Sequence, residues 1–256
     1  MPLIETPKEA LIGTAALGVA FATGVIIGKN LKLSTSEKTF EKENVAERRY
    51  AMKHSLREHP VLEKLRKHTI KDPRILETVS CDEAQLLTIL AKLIRAKTVL
   101  TAGDTVTYLT LSMALSLPSD GRVICCYETA EEAEIGQPFW NEAGMEYKIE
   151  LRVKATLLTL DELIDSGEGC TYDLVFINVN DQENPNDCFE KSLRLARRGG
   201  IIVLDGVLCQ GRVLNAKAYD LLAQNLHHLN EKLLRDVRIN IIILPMGDGV
   251  TVAVKL

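Results

Sequence analysis

From residue 98 onward, short apolar runs alternate with stretches of helical periodicity. The runs are TVLTAG (98–103), RVICCY (122–127), YKIELRV (147–153), YDLVFINV (172–179), GIIVLDGV (200–207) and VRINIIILP (237–245), and VTVAVKL closes the chain at 250–256. Continuous apolar runs of this length, rich in Val and Ile, predict strands buried on both faces. Between them, residues 107–117, 130–143, 158–165, 187–196 and 216–235 repeat their apolar positions at three and four, which predicts helices. Strand and helix in alternation predict an α/β fold: a doubly wound, mostly parallel sheet with helices on both faces. Pro245, Gly247, Asp248 and Gly249 form a tight turn, so the last two strands should be an antiparallel hairpin.

Upstream, Leu86, Leu87, Ile89, Leu90, Leu93 and Ile94 give residues 81–95 an apolar helical face, with Ser80 or Asp82 placed to cap its start. Residues 29–74 are polar and charged, and are expected to be a solvated connector and first helix. Residues 11–28, LIGTAALGVAFATGVIIG, carry no charge and no proline. As a helix they would reach about 27 Å, close to the thickness of a bilayer's hydrocarbon core. The basic segment that opens a signal peptide is poor here, which favours an uncleaved transmembrane helix over a cleaved leader. The expected organisation is a tail at 1–10, a transmembrane anchor at 11–28, the connector at 29–74 and the α/β domain at 75–256.

Lys29 and Lys32 follow the apolar run and only Lys8 comes close before it, so the positive-inside bias points the folded domain to the cytosolic side. The run lacks the Arg-rich, acid-poor look of a transit peptide. Ala16, Ala20, Gly24 and Gly28 recur every four residues, a spacing that lets two membrane helices approach closely. Self-association through that stripe is one reading, and the ordinary abundance of small residues in membrane helices is the other.

The balance of 31 Lys+Arg against 35 Asp+Glu over 256 residues argues against a nucleic-acid partner, since phosphate binding needs a concentrated basic excess. The six cysteines form no CxxC pair and have no His at zinc-ligand spacing, so they are expected to be buried, reduced thiols. Cys125 and Cys126, adjacent in a strand, should face opposite sides of the sheet.

In doubly wound sheets, ligands bind beyond the carboxyl ends of the central strands. The segments to inspect are Thr101–Tyr108, Tyr127–Glu128, Asn178–Asp181 and Asp205–Gly206. No second glycine follows Gly103 to complete GxGxxG, and no phosphate-binding P-loop is present, which excludes the usual NAD and nucleoside triphosphate signatures.

The block AKTVLTAGDTVTYLTLSMALSLPSDGRVICCYETAEEAEIGQPFWNEAG (96–144) resembles the cation-dependent O-methyltransferases of the caffeoyl-CoA and catechol type. So does the closing block NEKLLRDVRINIIILPMGDGVTVAVKL (230–256). The anchor, HPVLEKLRKHTIKDPR (59–74) and CDEAQLLTILAKLIRAK (81–97) are most similar to a membrane-anchored member of that family. The likeness spans about residues 50–256.

The resemblance implies a Rossmann-like methyltransferase sheet, S-adenosylmethionine (SAM) as cofactor, a small-molecule acceptor, and a homodimer. It implies cofactor binding by Gly103, Tyr108, Tyr127, Glu128 and Asn178, and catalysis by Asp181 and Asp205. Several of these positions depart from the family's pattern. The acid two residues before Gly103 is Thr101, the second glycine of the turn is Thr107, and the acid ending the second strand is Tyr127, with Glu128 next to it. The first metal-binding Asp falls on Asn178; Asp205 remains, but its Asn partner is Gly206 and the following Trp is Cys209. The general-base Lys falls on Asp181, in the stretch INVNDQEN (177–184) that carries one residue more than the family's pattern.

With so few anionic ligands a divalent metal is not expected, and no residue is assigned to one. Each retained candidate has a plainer role as well. Glu128 fits a solvated charge at a helix start with Glu131 and Glu132, Asp181 fits a turn, and Asp205 fits a structural cap. Two functions follow: a membrane-anchored, SAM-dependent O-methyltransferase acting on a small hydroxylated acceptor without a tightly bound metal, or a catalytically inactive scaffold or SAM sensor on the same fold.

Overall fold

The computed structural model describes residues 46–72, 79–103, 106–180 and 182–256. Seven strands form one sheet: β1 (Thr98–Ala102), β2 (Arg122–Tyr127), β3 (Ile149–Val153), β4 (Tyr172–Asn178), β5 (Ala196–Asp205), β6 (Ile239–Leu244) and β7 (Val250–Lys255). Their order is β3-β2-β1-β4-β5-β7-β6. The first five are parallel, and β7 runs antiparallel between β5 and β6, as the turn at 245–249 predicts. β5 starts earlier than the apolar run suggests: Ala196 pairs with Tyr172, and a register shift before Leu174 carries the irregular ARRGG segment into the strand.

The helices are α1 (Ala46–Ser55), α2 (Pro60–Lys71), α3 (Cys81–Leu93), α4 (Thr107–Ser116), α5 (Ala130–Glu142), α6 (Thr156–Asp165), α7 (Pro185–Leu195) and α8 (Leu221–Arg235). α7 begins where Asn184 accepts a hydrogen bond from the Asp187 amide at 3.2 Å and Pro185 supplies a preset first turn. α8 begins five residues later than its periodicity suggests, because Asp220 caps it through the Ala223 amide. The residues before it, Cys209–Asn215, form a 3-10 turn.

Two cores flank the sheet. α2, α3, α4 and α5 cover one face with Leu65, Leu87, Leu111 and Trp140, and α6, α7 and α8 cover the other with Leu160, Phe189, Leu226 and Leu233. Cys125 belongs to the first core and Cys126 to the second, which is the alternation expected of a strand. Five cysteines are buried; Cys170 is exposed, contrary to the expectation for all six.

The expected solvated connector needs correcting over α2. Its polar residues face solvent, but Val61, Leu62 and Leu65 recur at helical spacing and are buried in the first core. Charged residues outnumber that stripe, which hides it in a composition average. α1 has no buried residue; it is tied down by Arg48, whose Nε and Nη2 donate to the Asp82 carboxylate at 3.0 and 2.9 Å. That bond occupies one of the two proposed caps of α3. The other, Ser80, stands at the N-cap without a side-chain bond to the helix. The expected anchor at 11–28 lies outside the described residues. Among the described residues no helix is long and apolar enough to cross a membrane.

Candidate active site

Strand order reverses between β1 and β4, so a crevice opens past their carboxyl ends. β1 leaves the sheet at Gly103, whose φ of +116° suits glycine, and a Cβ there would lie 2.9 Å from the Asn178 Cβ at the end of β4. Asn178 in turn pairs in register with Asp205 at the end of β5. Three of the expected site residues, Gly103, Asn178 and Asp205, therefore stand side by side, with Asn178 and Asp205 3% and 8% exposed.

Behind this row the chain is knitted closely. Asn178 Oδ1 accepts from the Asn180 amide at 2.9 Å, turning the chain back over the strand end. Gly206 and Val207 both donate their amides to the Gly249 carbonyl at 3.0 Å, and Leu208 donates to the Asp248 carbonyl, so the β6–β7 turn clamps the exit of β5. Asn180 Nδ2 donates to Asp248 Oδ2 at 2.9 Å, while Asn180 Oδ1 is buried without a hydrogen-bond partner. Gly206 has φ +88°, and a Cβ on it would fall 2.4 Å from Asn180 Nδ2. The carboxamide of Asn180 thus fills the space where a side chain at 206 would begin.

The remaining expected residues lie elsewhere. Tyr127 is fully buried and shares a 3.0 Å hydrogen bond with Thr107 Oγ1, so the hydroxyls at the second-glycine and strand-end positions bond each other. Thr101, two residues before Gly103, is bonded to Thr110 at 2.8 Å. Glu128 is exposed at the lip of β2. Tyr108 turns away from the crevice: its hydroxyl donates to Glu58 Oε1 at 2.7 Å, on a cavity of about 240 Å³ lined by α2, α3 and α4. Burial, reinforced by the Glu58 carboxylate, holds its phenol well above the usual range. Asp181 lies outside the described residues.

The sequence reading missed Glu83. It is 1% exposed on α3, and its Oε1 has no hydrogen-bond partner. Burial, then the Asp205 and Asp82 carboxylates, push its carboxyl well above the ordinary range. A signal was available: Glu83 lies four residues before Leu87 on the apolar face of its helix, where a carboxylate is out of place.

A family model described as O-methyltransferase matches residues 52–256, the whole α/β body. The chain belongs to the O-methyltransferase family. It is 39% identical to the mouse (Mus musculus) catechol O-methyltransferase domain-containing protein 1, over 100% of this chain and 98% of the relative. It is 34% identical to the caffeoyl-CoA O-methyltransferase of Medicago sativa, over 78% of this chain and 83% of the relative. Among solved structures it resembles the O-methyltransferase TomG from Streptomyces achromogenes in complex with SAM, with TM-score 0.68 and 26% identity over 80% of this chain and 94% of that one.

The residues present do not fit the divalent cation of the cation-dependent O-methyltransferases. Of the three aligned positions, one keeps a carboxylate. Asn178 Oδ1 is engaged by the Asn180 amide, and Gly206 bears no ligand and has no room for one. Among the described residues no group of three or more His, Cys, Asp or Glu is placed to hold a metal. The fit to SAM is better at one end than at the other. The Gly103 turn keeps the backbone open to close approach beside Asn178 and Asp205, while Thr107 and Tyr127 replace a glycine and an acid with two hydroxyls bonded to each other.

Proposed function

We propose that this member of the O-methyltransferase family uses SAM to methylate a small hydroxylated acceptor, without a tightly bound divalent metal. The observation that carries the reading is the Gly103 turn, placed with Asn178 and Asp205 at the point where strand order reverses. When bound, SAM supplies a methyl group on a positively charged sulfur. Gly103, Asn178 and, at the lip, Glu128 are the residues to hold it, with Tyr127 acting from beneath through Thr107. Direct displacement of this kind gains most from orientation. Asp205, at the end of β5, is the first candidate to accept the acceptor's hydroxyl proton, and Asp181 is the second.

Calorimetric titration of the full-length chain with SAM and its demethylated product (SAH), with and without magnesium, tests this reading. The expected result is micromolar binding indifferent to magnesium. Absence of binding up to millimolar ligand would defeat it.

The Thr107–Tyr127 bond favours a second reading, a non-catalytic scaffold or SAM sensor, because it consumes the hydroxyls at two cofactor positions. Binding of SAH without methylation of any hydroxylated acceptor would select it.

We further propose that residues 11–28 anchor the chain in a mitochondrial or endoplasmic reticulum membrane with the α/β body facing the cytosol, and that it forms a homodimer. The uncharged run supports the first, and the Ala16, Ala20, Gly24 and Gly28 stripe supports the second. Carbonate extraction and protease accessibility test the anchor and its orientation, and crosslinking in detergent tests the dimer.

A further inference from the structure

We propose that a cavity at the end of the sheet opposite the crevice binds an organic anion, an apolar body that carries a carboxylate or a phosphate. The cavity shares no residue with the site assigned to SAM, so the inference stands apart from the reading above.

β4 and β5 begin at this end, α6 and α7 finish here, and the antiparallel β7 brings its last residues to them. With the start of β6 they border a cavity of about 820 Å³, within the range of small-molecule sites. Ile164, Leu193, Val237 and Leu256 supply its apolar wall. Beside that wall stand four basic side chains, Arg194, Arg198, Arg238 and Lys255, against one acidic side chain, Glu190.

These charges are not equally committed. Arg238 and Glu190 hold each other at 2.8 and 2.9 Å. Lys255 Nζ donates to the Leu193 and Ala196 carbonyls, both at 2.8 Å, and lies 3.5 Å from Cys170 Sγ. It thereby closes the end of α7, and no carboxylate among the described residues pairs with it. Arg197 turns away from the cavity, to Asp173 and to the Ile94 carbonyl at the end of α3. Arg198, next along β5, lines it. Among the described residues, the guanidinium groups of Arg194 and Arg198 have no hydrogen-bond or ion-pair partner.

Two uncommitted guanidinium groups, with an ammonium between the helix end and the wall, make the cavity electropositive. A guanidinium matches a carboxylate or a phosphate with two parallel N–H donors, and the apolar wall takes the body of the ligand. A cationic ligand of the same shape would meet like charge.

Cys170 is the exposed cysteine and lines the same cavity, so its alkylation by iodoacetamide reports occupancy. The full-length chain is treated with the reagent in the presence of 1-naphthoate or 1-naphthyl phosphate, and modification of Cys170 is followed by mass spectrometry. Naphthylmethylammonium presents the same ring with the opposite charge, and acetate and inorganic phosphate present the heads without the ring. Each series is repeated on the double variant Arg194→Gln/Arg198→Gln, with thermal unfolding as the check on folding.

The expected result is that a naphthyl anion slows alkylation of Cys170, and that half-protection of the double variant needs about tenfold more ligand or above. Stronger protection by naphthoate assigns a carboxylate head, and stronger protection by naphthyl phosphate assigns a phosphate. The proposal is overturned if neither anion protects at millimolar concentration, if naphthylmethylammonium protects equally, or if the double variant is protected as well as the wild type. Equal protection by acetate or phosphate alone would show a simple ion site and overturn it too.

Discussion

Gly206 shows how a single position sets the limits of the site. The family's side chain at this place is absent, φ is +88°, and the Asn180 carboxamide occupies the space. Restoring Asn at 206 therefore does not restore a ligand. Gly206→Asn is expected to destabilise the fold by about 1–3 kcal/mol through backbone strain and the clash with Asn180. Denaturant unfolding measures this, and the double variant with Asn180→Gly should recover part of the loss. Full additivity of the two substitutions would show that Asn180 does not fill that space. Gly103, Asp205 and the departures at Thr107 and Tyr127 were legible in the sequence because they lie in blocks of clear family likeness. Asn180 was not, because its role depends on the exit of β5, which is distant in sequence.

Among the elements, α2 and α7 show two ways a helix is held. α2 is held by burial. Leu65→Ala should cost about 2–5 kcal/mol, whereas Leu234→Ala, on the exposed side of α8, should stay within about 0.5 kcal/mol. Equal effects in chemical denaturation would refute the assignment of α2 to the core.

α7 is tied to α8 and to the start of β6 by Glu190. Its carboxylate accepts from Arg238 at 2.8 and 2.9 Å and from Lys232 at 2.6 Å. These bonds, with Arg238 foremost, bring the Glu190 pKa down to about 2. A depressed carboxylate stabilises the fold above its unfolded value, near 4.3, and that share is lost as pH falls toward 2. The side chain is 34% exposed, so solvent screening holds the share to about 1 kcal/mol or less. Urea midpoints should fall between about pH 4.5 and 2 by more in the wild type than in Glu190→Gln. Identical slopes would remove the effect.

For the whole molecule, the first core reaches back to Val61, across the composition break near residue 75. A chain starting at residue 75 should lose cooperative unfolding, and one starting at residue 46 should keep it. Calorimetric scans of the two fragments decide this, and a sharp transition in the shorter one would show that α2 is dispensable. The same reach explains Tyr108. With α2 in place, its hydroxyl finds Glu58 on the far side of α4 and does not face the crevice.

The sequence by itself determined the class of fold, the order of strands and helices, the antiparallel ending and the row Gly103, Asn178 and Asp205. Each rests on local signals: two- and three-to-four-residue periodicities, turn residues, and blocks with a family likeness. Only the tertiary structure decided that Thr107 bonds Tyr127, that Asn180 stands in for a side chain at Gly206, and that Glu83 is buried against the turn at Gly247. Those pairs lie 20, 26 and 164 residues apart along the chain, and packing, which no local pattern encodes, brings them together.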